Sequence, residues 1–254
     1  MIYVAYFILC ALFFFTGASV FSFLNVVAWR IPRGESPLKG RSYCPACGRS
    51  LNPLELVPVL SFLVLRGRCR TCGSTIPVRD FWVEVLGGVL AIGCYFAFPR
   101  LPQAVLMFAV LSVLMVVTLI DWDTQIIPNR FSVLLLVCAL ASVAAVPEIS
   151  IVSRLIGCLV VSVPMLVIAI VIPGGFGGGD IKLMFAVGAL LGWKLTLCAM
   201  FFGTLTGGIY AVGLLVRKKA GRRDRFAFGP FLCAGTAIAI FFGEAIVAWY
   251  SSLF

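Results

Sequence analysis

Asp121 and Asp180 each stand where a long apolar run breaks. A carboxylate at the edge of hydrocarbon is costly to place, so it marks a functional site by default. Two carboxylates that converge cannot both ionise readily, and they share a proton. The deprotonated one activates a water, and the protonated one donates to the carbonyl oxygen of a scissile amide. That is aspartic-protease chemistry, and it needs no metal and no covalent intermediate. The chain contains no histidine, which removes Ser-His-Asp triads, Cys-His dyads and HExxH zinc hydrolysis together. Of the ten carboxylates, Glu35, Glu55, Asp80, Glu148 and Asp224 lie in polar connections, whereas Glu84 and Glu244 fall inside apolar segments and are secondary candidates. Asp123 follows Asp121 by two residues and on a helix points to a different side.

The elements carrying these aspartates are membrane helices. The chain is 62% hydrophobic with a mean hydropathy of +1.11. Apolar runs near the length of a bilayer crossing occupy residues 2–29, 81–98, 101–120, 131–146, 155–172, 181–192, 195–216 and 231–250. This predicts an all-α polytopic integral membrane protein of about eight helices. The first run has no small-residue cleavage site before its polar flank, so it reads as a retained helix. With the N-terminus outside, the inward connections 30–80, 121–130, 173–182 and 217–225 carry nine, one, one and six basic residues, seventeen of the twenty. The outward ones hold only Arg100, Arg154 and Lys194. Lys and Arg accumulate on the cytoplasmic side, so Asp121 and Asp180 both face the cytoplasmic boundary. The +10 net charge reflects this topology and attraction to anionic membrane lipid. No aromatic-interleaved basic module accompanies it, which argues against nucleic acid.

Asp180 ends the stretch Gly174-Gly175-Phe176-Gly177-Gly178-Gly179-Asp180, which is not expected to be ordinary helix. Glycine allows positive φ and close approach to a peptide, and irregular backbone at membrane depth belongs beside a cavity or buried in protein. Six cysteines sit singly in apolar runs and read as small hydrophobes. The other four form Cys44-Pro-Ala-Cys47 and Cys69-Arg-Thr-Cys72, with 21 residues between the pairs and a glycine after each. This spacing reads as a structural four-thiolate zinc site. A reducing compartment disfavours the disulfide alternative, and a loop of this size needs a staple to fold. The expected organisation is a first transmembrane helix at 1–29, a cytoplasmic zinc-binding loop domain at 30–80 and a transmembrane core at 81–254.

Several motifs together resemble the type IV prepilin peptidases, membrane aspartic proteases with a G-x-G-D motif. Gly177-Gly178-Gly179-Asp180 matches that motif, followed by Lys182. The segment Ile120-Asp121-Trp122-Asp123 through Ile127-Pro128-Asn129 is similar to the one bearing the family's first catalytic Asp. Gly17 to Val27 with Arg30-Ile31-Pro32, and Leu65-Arg66-Gly67-Arg68-Cys69-Arg70-Thr71-Cys72, also match in order. The resemblance implies Asp121 and Asp180 as the catalytic pair, with Gly177, Gly179 and Lys182 in the active-site loop. It implies removal of a basic leader from prepilins of type IV pili or pseudopilins of type II secretion, whose apolar N-terminal helix sits in the bacterial inner membrane. It also implies N-methylation of the new terminus with S-adenosylmethionine, in keeping with the four-cysteine loop of bifunctional members. Glu55-Leu56-Val57-Pro58 departs from the Asp-Asn before Ile-Pro of many relatives. No glycine-rich strand-to-helix fingerprint marks a methyl-donor site.

Two other classes remain open on the residues. A proton-coupled transporter builds ion sites from broken helices and intramembrane acids, here Asp121, Asp180, Glu84 and Glu244, although no internal repeat is evident. A scaffold organised by the zinc loop leaves both aspartates without a role.

Overall fold

A computed structural model describes residues 2–172, 174–216 and 226–253 of the 254; the basic connection 217–225 lies outside them. All the apolar runs are helical. Among the described residues, six helices are long and apolar enough to cross a membrane, and Asn129–Ala145 is a shorter apolar helix. The chain divides into two compact units, residues 1–99 and 100–254.

In the N-terminal unit, α1 (Ile2–Arg30) packs against α3 (Val78–Ala97). Phe13 stacks on Tyr95 at 4.5 Å and Asn25 donates to Asp80 at 2.9 Å, so the pair is antiparallel. Gly17 faces Gly87 and Ala91, where a side chain on either glycine would collide with the opposite helix. Small residues at a contact let membrane helices approach closely, where lipid leaves no hydrophobic drive between them. Between these helices lie a 3₁₀ turn at Pro53–Leu56, the short α2 (Leu60–Val64) and the four cysteines.

The C-terminal unit contains α4 (Leu101–Thr124), α5 (Asn129–Ala145), α6 (Ile151–Val160), α7 (Ser162–Val171), α8 (Gly178–Val216) and α9 (Gly229–Ser251). Prolines punctuate the starts: Pro102 and Pro230 lie in first turns, where a missing N–H costs nothing, and Pro128 immediately precedes α5. The run expected at 155–172 begins at Ile151 and is divided at Val161, with Pro164 in the first turn of α7. The runs 181–192 and 195–216 join in one 39-residue element whose only break is Gly192, at φ 72° and ψ 172°. α8 is the hub, packing on α5, α6, α7 and α9.

Arg154, only 5% exposed, secures the break. Its guanidinium donates to the Ala189 and Leu190 carbonyls at 3.1 and 2.8 Å, near the C-terminal end of the first half of α8. It also donates to the Ser142 and Val146 carbonyls at 3.1 and 3.0 Å, where α5 ends. Carbonyls at a helix end have no intrahelical partner, and two negative dipole ends stabilise one cation.

Candidate active site and metal centre

α4 does not stop at the apolar boundary; it continues through Asp121 to Thr124 and ends on Gln125 in the left-handed region at φ 55°. Asp121 is thereby held in a last helical turn, 5% exposed, while Asp123 faces out. Its Oδ2 accepts the Gly229 N–H at 3.0 Å. Gly229 is the first residue of α9, so the carboxylate satisfies an otherwise unpartnered donor of that helix.

Asp180 lies in the first turn of α8, since Gly178, Gly179 and Asp180 are helical. This corrects the expectation that the whole glycine stretch is irregular. Asp180 is three residues past Gly177, and its Oδ2 accepts the Gly177 N–H at 3.3 Å, the returning half of a capping box. That bond supports a helical start despite two glycines. Of the run, only Gly174 has positive φ, at 85°. Gly179 is required for a different reason: a Cβ there would lie 2.9 Å from the Ile127 Cβ. Asp180 is 9% exposed.

Each aspartate therefore caps a helix N-terminus, and the two are near enough that the charge of one is felt at the other. Buried Ile127 links their surroundings, because its side chain abuts both Gly179 and Gly229. Lys182 points away from this pair and donates to the Asn129 Oδ1 at 2.9 Å, tying the start of α8 to the start of α5.

Three features escaped the sequence reading. Gly229 is one, although the Gly-Pro at a helix start was a usable signal. Another is a wall of rings from three helices and two connecting segments: Trp122, Phe176, Tyr210, Phe226, Phe228 and Phe231 approach one another at 5.1–6.4 Å. No local spacing announces it. The last is Cys233, read as a plain hydrophobe, whose thiol interacts with Thr118 and lies within electrostatic range of both aspartates.

The secondary candidates lie elsewhere. Glu244 is exposed on α9, fifteen residues and so about 22 Å along the helix from Gly229. Glu84 belongs to the N-terminal unit, where it accepts the Val59 N–H at 2.7 Å. Val59 sits at φ 65°, a costly conformation for a β-branched residue, and this bond holds it there. Glu55 is also engaged structurally: it pairs with Arg49 at 2.8 Å and accepts the Asn52 N–H at 2.9 Å. Arg49 holds its carboxyl below the usual carboxylate range, aided by the Asn52 N–H.

Cys44, Cys47, Cys69 and Cys72 come together with their sulfurs within 4.8 Å of one another. Each pair forms the same knuckle. Gly48 donates to the Cys44 carbonyl at 2.8 Å and Gly73 to that of Cys69 at 3.0 Å, both glycines having φ 71°. The Ser74 hydroxyl and the N–H groups of Cys47 and Ala46 lower the Cys44 thiol to about 6. The N–H groups of Cys72 and Thr71 lower that of Cys69. Thiolates are what a metal ligates, so this cluster can hold a metal ion.

Residues 15–98 match the bacterial peptidase A24 N-terminal domain and residues 108–212 the type IV leader peptidase family. The chain is 32% identical over 244 residues to a prepilin leader peptidase/N-methyltransferase of Bacillus subtilis (strain 168), covering 94% of this chain and 97% of that protein. It is 34% identical over 222 residues to one of Legionella pneumophila, covering 83% and 75% of the two chains. A third, from Aeromonas salmonicida (strain A449), is 30% identical over 275 residues, covering 95% and 94%. No solved structure matches. With most of its length aligned to such relatives and its two units matched by the two domain models, this multi-pass membrane protein belongs to the type IV leader peptidase family.

Proposed function

We propose that the chain cleaves the leader from prepilins or pseudopilins with Asp121 and Asp180 as its catalytic pair. The observation that carries this reading is the burial of both carboxylates at one end of the C-terminal unit, each on a helix N-terminus, with Ile127 between their backbones. One carboxylate takes a proton from water as the oxygen attacks the scissile carbonyl carbon. The other, protonated, donates to the carbonyl oxygen. Collapse of the tetrahedral species breaks the C–N bond as the leaving nitrogen gains a proton. The pair titrates as a unit, so both roles belong to the dyad jointly. Gly177 supplies the N–H that orients Asp180, Gly179 gives room for Ile127, and Lys182 anchors the loop through Asn129.

The charge asymmetry supports a cytoplasmic position for this site in the bacterial inner membrane, with the N-terminus outside and eight crossings. On that topology residues 1–29 anchor the chain, 30–80 form a zinc-stapled loop domain and 81–254 the membrane core. Zinc suits the cysteine cluster: a Zn–S bond of about 2.3 Å gives a tetrahedral edge of about 3.8 Å, and Cys44 and Cys72 are 3.8 Å apart. The four residues would hold it structurally, with no open position. For the methyl transfer named in the relatives, S-adenosylmethionine would supply the methyl group to the new terminal amine.

The test is cleavage of a purified prepilin by the wild type, Asp121→Asn and Asp180→Asn, with product N-termini read by mass spectrometry with and without S-adenosylmethionine. Both variants should be inactive, and one added methyl should depend on the donor. An intact prepilin with wild type, or cleavage by both variants, returns proton-coupled transport to the front.

A further inference from the structure

A groove of about 490 Å³ opens in the C-terminal unit between α5, α7 and α8. Its walls are apolar, from Leu136, Val163, Leu166 and Phe185, and its lining includes Ile181 and Lys182, the two residues that follow Asp180 in the chain. One feature is at odds with an apolar surface. Ser132 lines the groove, yet its hydroxyl is buried with no hydrogen-bond partner among the described residues, in a residue only 6% exposed. A buried polar atom without a partner costs free energy, and most serines at such depth bond back to their own helix. The groove is thus shaped for a ligand that is mostly apolar and brings one hydrogen-bonding group to this point.

We infer that the groove seats the apolar segment that directly follows the scissile bond of the substrate, and that Ser132 caps the N-terminal end of that segment. This rests on the leader-peptidase reading above. A peptide must be extended to be hydrolysed, so the substrate helix can begin only after the scissile bond. The first N–H groups of any helix have no intrahelical acceptor, and hydrocarbon offers no water in their place. Ser132 stands one turn below Asn129, about 4.5 Å along α5, where the Oγ can accept one of those N–H groups. Lys182 at the mouth repels a basic leader and admits the apolar segment, which sets the direction in which the substrate lies.

Two measurements on the full chain in lipid nanodiscs, with a purified prepilin, decide it. Ser132→Ala should raise KM about three- to tenfold, the effect of one lost hydrogen bond, with kcat little changed. Val163→Trp, which fills the groove, should raise KM further. In an Asp180→Asn background that leaves the prepilin intact, a benzophenone amino acid at Val163 should crosslink to the first turns after the scissile bond. The same probe at Ile209, on the lipid-facing second half of α8, should capture lipid. If wild type cleaves the prepilin but Val163 captures only lipid and both KM values stay within about twofold of wild type, the groove is a lipid site and the inference fails. If wild type does not cleave at all, the failure lies in the leader-peptidase reading.

Discussion

Gly229 gives the most direct test of how the dyad is positioned. A Cβ added there would lie 2.7 Å from the Asp121 Oδ2 and 3.0 Å from the Ile127 Cδ1. Ordinary contact begins near about 3.5 Å, so the carboxylate must retreat by about 0.8 Å. Ile127 cannot yield freely, because its other side abuts Gly179. The movement also lengthens the bond from the Gly229 N–H. A misplacement of about 1 Å costs on the order of 10²-fold in rate, so Gly229→Ala should lower kcat by roughly 30- to 100-fold. KM should change little, since no groove residue is touched. The assay is steady-state cleavage of purified prepilin, with folding checked by thermal melting. Gly178→Ala is the internal control, because a Cβ there meets nothing within 4 Å. Activity of Gly229→Ala within twofold of wild type would refute the coupling between the α9 N-terminus and the dyad.

Three further outcomes follow from contacts outside the dyad. Arg154→Met removes the guanidinium that donates to the carbonyls of Ser142, Val146, Ala189 and Leu190. It should destabilise the protein by about 1.5–3 kcal/mol, read as a Tm lowered by roughly 3–12 °C; a shift under about 2 °C removes Arg154 from that role. Cys69→Ser should abolish retention of one metal equivalent through gel filtration, measured by elemental analysis, and lower Tm as chelation of the wild type does. Glu55 has a depressed folded pKa, so its pairing with Arg49 contributes stability above the unfolded carboxylate value and loses it as pH falls through the folded one. Melting of the wild type should therefore lose stability on the acid side of pH 5, and Arg49→Met should flatten part of that slope; identical acid limbs would exclude the pair.

Much of this protein was legible in its sequence because the signals are local. Bilayer-length apolar runs place the helices, since a chain in hydrocarbon must satisfy its backbone within each segment. The two Cys-x-x-Cys turns each carry a glycine that the knuckle requires, so each cysteine pair follows from short spacing alone. Asp121 and Asp180 stand out because isolated carboxylates in apolar surroundings have few structural uses. Boundaries were less readable. Gly178 and Gly179 read as irregular, but the Asp180 carboxylate returning to the Gly177 N–H and the tight fit against Ile127 favour a helical start there.

Only the tertiary structure decided what those residues meet. The partner of Asp121 is 108 residues away in sequence, and no periodicity links Gly229 to it. The same holds for Ile127 between two glycines, for Arg154 closing two helix ends, and for the unpartnered hydroxyl of Ser132. Glu84 and Glu244, inside apolar segments, were secondary candidates beside the dyad. One proved to be a brace for Val59, and the other lies far along α9. Hydropathy and spacing describe how a segment meets its solvent, whereas a site depends on which segments pack together and how closely. That closeness is set here by the missing side chains of Gly179 and Gly229, whose meaning appears only when the opposing residue is known.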